Sequence, residues 1–206
     1  MIASKSGLLR QYSADELVLQ RTWKSTHKGP VRLLAFDPTS TFLASGGTDG
    51  AVKVWDVIRK FCTHNLQVSE KFRVPSFNIF VQNHTGLIHS IQFHPSDLSL
   101  FISCDEHSIK RWQLRTNEIS NTYESHVSTV TGIEFLDSEK FVSAGRDSVL
   151  LIWDVNGKEP VLTVPTYEPI EAICQTEGSI FTIGSRGNFL RSYFFCGRLA
   201  SLIKCL

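Results

Sequence analysis

Apolar residues along this chain fall into short clusters separated by turn residues, and the clusters recur. VRLLAF at 31–36, IHSIQF at 88–93 and VTGIEF at 130–135 each place an aliphatic residue, a second aliphatic three later and Phe two after that. Val31, Leu34 and Phe36 thus match Ile88, Ile91 and Phe93, then Val130, Ile133 and Phe135. Each cluster runs into a turn segment (DPTS, HPSD or LDSE) and then a second short apolar run, FLAS, LFIS or KFVS. Proline in the second place of the first two turns supplies the φ that a type I turn needs there. Short apolar runs bounded by turn residues read as β-strands. A third run, clearest as LLIW at 150–153, is apolar on both faces, where a strand with one wet face would alternate. No segment carries a helical period. The pattern predicts units of four short antiparallel strands, stacked so that the middle strands are covered on both sides.

The third run marks a repeat. TDGAVKVWD at 48–56 recurs as CDEHSIKRWQ at 104–113 and GRDSVLLIWD at 145–154, and more weakly as SKSGLLRQY at 4–12 and GSRGNFLRSY at 184–193. The marker aromatics are Tyr12, Trp55, Trp112, Trp153 and Tyr193, at intervals of 43, 57, 41 and 40 residues. A unit of this length ending in Trp-Asp resembles a blade of the WD40 β-propeller. The resemblance implies an all-β fold: one partial WD40 propeller over residues 1–206, with repeats ending near 12, 56, 113, 154 and 193. That is about four blades plus part of another, since Tyr12 is already a marker and no first strand precedes it. Such a chain reads as an open arc with two uncovered blade edges, a fragment or a shortened isoform. The long interval points to VSEKFRVPSFNIFVQ at 68–82, which reads either as a loop inserted between blades or as a mis-spliced segment.

Polar residues keep fixed offsets as well. His27, His84 and His126 precede their marker tryptophans by 28, 28 and 27 residues, Asp49 and Asp147 by six, and Ser45 and Ser143 by ten. This resembles the hydrogen-bonded tetrad of WD40 blades, with His27, Ser45, Asp49 and Trp55 in one set and His126, Ser143, Asp147 and Trp153 in the other. An indole N–H only donates and a carboxylate only accepts, while Ser and His do both, so four such groups can close a network. The middle repeat departs: Ile102 stands at the serine offset and Glu106, beside Asp105, at the aspartate offset. Its network is expected to be incomplete or shifted.

Ser, His and Asp together also spell a hydrolase triad. Two identical sets and no G-x-S-x-G elbow favour structure over catalysis. His84, His89 and His94 are evenly spaced, yet they occupy a tetrad place, a strand position and a turn, which argues against a metal site. No Gly-rich phosphate loop followed by Lys-Ser/Thr is present. The reading is a non-enzyme that needs no cofactor, no metal and no small-molecule substrate.

Composition narrows the partners. With 42% hydrophobic and 20% charged residues this is an ordinary globular composition, and a net charge of +1 offers no global field for nucleic acid. The N-terminus lacks the apolar run of a secretory signal, and VLLI at 149–152 is far short of a membrane span. The five cysteines (62, 104, 174, 196 and 205) show no CxxC spacing and read as small buried hydrophobes in a reducing compartment, cytosol or nucleus.

Two strings go beyond a generic repeat: AFDPTSTFLA within residues 21–57, and VPTYEPIEA at 164–172 after FVSAGRDSVLLIWDV. With them the chain is similar, over roughly 2–66 and 83–193, to the transducin beta-like protein 3 or U3 small nucleolar RNA-associated protein 13 family. That resemblance implies a nucleolar, non-catalytic scaffold of the small-subunit processome that supports pre-rRNA processing and 18S rRNA maturation. Its partners would be other processome proteins and, through the complex, U3 small nucleolar RNA and pre-rRNA, with no membrane. The alternative is a generic WD40 adaptor, such as a ubiquitin-ligase substrate receptor or a signalling scaffold. Seven before each marker stand Lys5, Thr48, Asp105, Arg146 and Arg186. Arg146 and Arg186, on neighbouring blades, are the candidate contact for RNA or an acidic partner, against a reading as ion pairs with adjacent loops.

Overall fold

The computed structural model describes residues 1–3, 7–13, 15–67, 87–104, 107–176, 179–185, 190–196 and 201–205. The segment at 68–82, read as an inserted loop or a mis-spliced segment, lies outside the described residues, as do His84, Lys5, Asp105, Glu106 and Arg186.

Among the described residues nineteen strands form five antiparallel sheets, and no helix occurs. The first sheet holds β1 (Ile2–Ala3), β2 (Leu8–Tyr12) and β3 (Leu19–Lys24). The second holds β4 (Val31–Phe36), β5 (Phe42–Gly47), β6 (Ala51–Asp56) and β7 (Phe61–Gln67). The third holds β8 (Ile88–Phe93), β9 (Ser99–Cys104), β10 (Ile109–Gln113) and β11 (Glu118–Tyr123). The fourth runs through β12 (Val130–Phe135), β13 (Lys140–Gly145), β14 (Val149–Asp154) and β15 (Pro160–Pro165). The fifth runs through β16 (Ile170–Thr176), β17 (Ser179–Gly184), β18 (Leu190–Cys196) and β19 (Ser201–Cys205). Within each sheet the strands follow chain order, so every sheet is a meander.

The turns explain recurring residues. Gly7, Gly50, His107 and Ser148 each lie five before a marker aromatic and all adopt φ between 63° and 72°. That left-handed conformation is free for glycine and costly for other residues. The Asp-Gly of the second sheet is therefore the relaxed form of a turn that His107 and Ser148 hold under strain. Register slips by one residue just before the marker in the first four sheets, at Gln11/Tyr12, Val54/Trp55, Arg111/Trp112 and Ile152/Trp153. A bulge repeated at one place adds the same local twist to each sheet.

The cores lie between sheets. Leu9 of the first sheet packs with Val31, Leu43, Trp55 and Val57 of the second. Ala44, Val52 and Val54, on the opposite face of the second sheet, pack with Ile88, Ile91, Leu100 and Ile102 of the third. Phe101, Ile109 and Tyr123 then meet Ile133, Phe141, Leu151 and Trp153, while Val142, Leu150 and Ile152 meet Ile170 and Ile180. Successive residues of one strand thus feed two different cores, and that is why the middle strands are apolar on both faces. The innermost strands β4, β8, β12 and β16 meet in that order, and among the described residues no substantial contact joins the fifth sheet to the first. The sheets form an incomplete propeller, an open arc.

One cysteine differs from its sequence reading. Cys62 is half-buried, but Cys174 is exposed. Its neighbour Ile173 packs on the fourth sheet, so strand alternation turns Cys174 to the other face.

Candidate functional site

The spacing of His, Ser, Asp and Trp resolves into two hydrogen-bonded sets. In the fourth sheet the Trp153 indole N–H donates to Ser143 Oγ at 2.8 Å, and Ser143 Oγ lies 2.7 Å from His126 Nε2. His126 Nδ1 lies 2.8 Å from Asp147 Oδ2, which also accepts the Val127 N–H at 3.0 Å. The second sheet repeats this: Trp55 Nε1 to Ser45 at 2.9 Å, Ser45 to His27 Nε2 at 2.8 Å, and His27 Nδ1 to Asp49 at 3.0 Å, with the Lys28 N–H on Asp49 at 2.8 Å. Because the indole can only donate, Ser Oγ accepts from it and passes its own proton towards His Nε2. His then carries its proton on Nδ1 and donates to the carboxylate. Each set is a one-way chain that ties two strands and two loops together.

The order Ser–His–Asp is that of a hydrolytic triad, but access is missing. Ser45 and Ser143 are fully buried, and each Oγ already accepts an indole N–H. A nucleophile must reach substrate; these hydroxyls reach only their own sheet. Burial pushes the Asp49 carboxyl up, but the Lys28 N–H and the His27 contact outweigh it and hold it below the ordinary carboxylate range. At Asp147 burial is likewise outweighed, by His126 and the Val127 N–H.

Among the described residues the third sheet shows no such set; its His84, Asp105 and Glu106 lie outside them. Ile102 is core, and the buried Trp112 indole N–H has no acceptor among the described residues. Sequence reasoning overlooked two glycines that the tetrads require. A Cβ on Gly145 would stand 2.5 Å from Asp147 Oδ1 and 2.8 Å from His126 Nδ1, and Gly47 lies equally close under His27 and Asp49. The signal was present: both glycines fall eight residues before their marker tryptophan.

Of the evenly spaced histidines, His84 lies outside the described residues, and the other two have separate surroundings. His94 is buried; its Nε2 donates to the Ser138 carbonyl of the fourth sheet at 2.9 Å, while Nδ1 accepts from the Asp97 N–H at 3.1 Å. With both nitrogens engaged it clamps two sheets together. His89 is half-buried on β8, and no metal-holding group of side chains occurs among the described residues.

A half-buried carboxyl that the spacing did not flag lies on β12. Burial raises Glu134 to about 7, only partly offset by a hydrogen bond with Gln92 of the third sheet. The sign follows from linkage: between 4.5 and about 7 the unfolded chain has lost this proton and the folded chain keeps it. Stability therefore falls as pH rises through that window and levels off above it. Glu134→Gln is expected to raise the melting temperature at pH 8 and to flatten this decline, measured by thermal melts from pH 4.5 to 8.

The loops preceding the innermost strands and the turns preceding the marker strands form one end of the arc. They are stitched together by Thr48 N to Pro30 O, Arg146 N to Thr129 O and Ser185 N to Pro169 O. Arg146 does not stand free there. Its Nε and Nη2 donate to the two carboxylate oxygens of Glu171 at 3.0 and 2.9 Å, a two-point pair that bridges the fourth and fifth sheets. Arg186, its proposed companion, lies outside the described residues.

Comparison with known proteins gives these blades a family. The WD domain, G-beta repeat family matches residues 18–56 and 117–154, which cover the tetrad-bearing second and fourth repeats. Transducin beta-like protein 3 of Bos taurus is 39% identical over 173 residues, and that of Homo sapiens 38%; each alignment covers 82% of this chain. The chain spans only 20% of the length of either relative. A chain in a crystal structure of the mitotic checkpoint complex superposes with a TM-score of 0.78 at 17% identity, covering 99% of this chain and 59% of that one, a likeness of fold. The chain carries WD40 repeats folded as an incomplete β-propeller, and over most of its length it resembles transducin beta-like protein 3.

Proposed function

We propose that this chain serves as a non-catalytic scaffold of the small-subunit processome, supporting pre-rRNA processing and 18S rRNA maturation in the nucleolus. The observation that carries this is the 39% identity to transducin beta-like protein 3 across 82% of the chain. Generic repeat residues such as GGTDGAVKVWD would support any WD40 adaptor. AFDPTSTFLA and VPTYEPIEA carry the narrower resemblance.

The arrangement of the polar residues supports a scaffold role. Both sets bury their serine and tryptophan and hold His27, Asp49 and Asp147 at least half-buried, each within a single sheet, which leaves the loop ends of the blades as the surface offered to partners. Partners on this reading are processome proteins, with U3 small nucleolar RNA and pre-rRNA contacted through the complex.

Localisation tests it. A tagged chain expressed in cells of its source is expected to concentrate in nucleoli. A diffuse distribution unchanged by blocking rRNA synthesis would favour a general adaptor instead.

A further inference from the structure

The string VPTYEPIEA builds a loop whose buried and exposed residues are sharply divided. Thr166 is buried; its N–H donates to the Ser148 carbonyl at 2.8 Å and its Oγ1 to the Glu168 carbonyl at 3.0 Å. Glu168 is 9% exposed, its carboxylate lying over Gly184, and the Pro169 carbonyl accepts the Ser185 N–H at 2.9 Å. Between these anchors Tyr167 is 77% exposed at a φ of 66°. The left-handed region suits Gly or Asn and disfavours a bulky aromatic. The fold thus holds a large ring in solvent, in a conformation that a smaller residue would adopt at less cost.

The corresponding loop of the fourth sheet repeats the pattern. His126 is buried in its tetrad, while the next residue, Val127, is 82% exposed with its N–H fixed on Asp147. Arg146 connects the two loops: its backbone N–H donates to the Thr129 carbonyl of the Val127 loop, and its guanidinium grips Glu171 just beyond the Tyr167 loop. Val127, the Arg146–Glu171 pair and Tyr167 thus lie at the same end of two adjacent sheets, an apolar residue on either side of a charge-neutral pair.

We propose that these residues form a docking surface for a protein partner presenting an uncharged, apolar pocket that takes the Tyr167 ring. The proposal rests on the scaffold reading above and gives it a contact point. Charge decides between classes of partner. A nucleic-acid backbone draws its affinity from unpaired cations, and here the described cation is already gripped by Glu171 at two points. Rigid aromatics with an arginine beside them are the usual anchors of protein interfaces.

The test places the photo-cross-linker p-benzoylphenylalanine at position 167 of the tagged chain, with a control at Glu139, which is exposed in a turn at the other end of the fourth sheet. Complexes are purified after RNase treatment. The expected result is one protein adduct from position 167 and none from 139, mapping to apolar residues of the partner. Tyr167→Asn and Val127→Ser should each lower recovery of that protein about tenfold or more. Tyr167→Asn should at the same time leave the melting temperature unchanged or raised, because it relieves the φ strain. Unchanged recovery in both variants, an adduct on RNA, or a drop in melting temperature with Tyr167→Asn would each overturn the proposal. Were the unaltered chain to recover no partner at all, the scaffold reading itself would fail, and this docking surface with it.

Discussion

Trp153→Ala is expected to lower the unfolding free energy by about 3–5 kcal/mol, the range for removing a large aromatic from a core. Trp153 is fully buried, stacks at 6.0 Å on Phe141 and meets Tyr123 edge-on at 5.4 Å. Its loss opens a cavity between the third and fourth sheets. It also removes the donor that holds Ser143 in line with His126 and Asp147. Trp153→Phe separates these effects: most of the buried area stays, but the buried serine loses its donor, at about 1–3 kcal/mol. The same change at Trp112, whose indole N–H has no acceptor among the described residues, should cost far less. Chemical denaturation followed by circular dichroism would measure all three. Equal losses for Trp153→Phe and Trp112→Phe would mean that the tetrad contributes nothing to stability.

Phe101→Ala should be comparably damaging, about 3–5 kcal/mol, for a different reason. Phe101 belongs to the third sheet, yet its ring meets Phe135 at 4.9 Å and Phe141 at 5.2 Å, both of the fourth. Such edge-to-face pairs add about 0.5–1.5 kcal/mol beyond the area they bury. Phe101 also stacks near His94, whose Nε2 reaches the Ser138 carbonyl of the fourth sheet. Truncating Phe101 therefore weakens the junction between two sheets, whereas Trp153→Phe weakens the inside of one. Phe101 and Trp153 share a core, so the double alanine variant should lose less than the sum of the two singles. Strict additivity would show that the sheets unfold independently.

What could be read from the residue pattern depended on repetition. The strands were legible because an aliphatic–aliphatic–Phe pattern returned three times, and the tetrad residues because His27 and His126, Ser45 and Ser143, and Asp49 and Asp147 kept step with their tryptophans. Features that occur once were not legible. His94 looked like a turn residue because nothing in HPSD says that the next sheet offers a carbonyl. Glu134 carried no signal of its own, since its neighbourhood includes Gln92 of the third sheet, a residue 42 positions away. Cys174 was read as buried because its residue type usually is, but a strand that packs on one side exposes every second residue.

Arg146 shows the same limit from the functional side. Spacing placed it correctly on a loop before the marker strand and could not reveal that Glu171 grips both of its nitrogens. Tyr167 carried no signal beyond its place in the VPTYEPIEA string. Its exposure and its left-handed φ appear only when Thr166 and Glu168 are seen to anchor the loop on either side.

The most direct measurement of the central claim is RNA and protein recovery with the tagged chain purified from nuclear extract. The account predicts enrichment of U3 small nucleolar RNA, pre-rRNA and processome proteins well above an unrelated WD40 chain purified in parallel. Recovery of ubiquitin-ligase or signalling components, with U3 RNA at the level of that control, would contradict it.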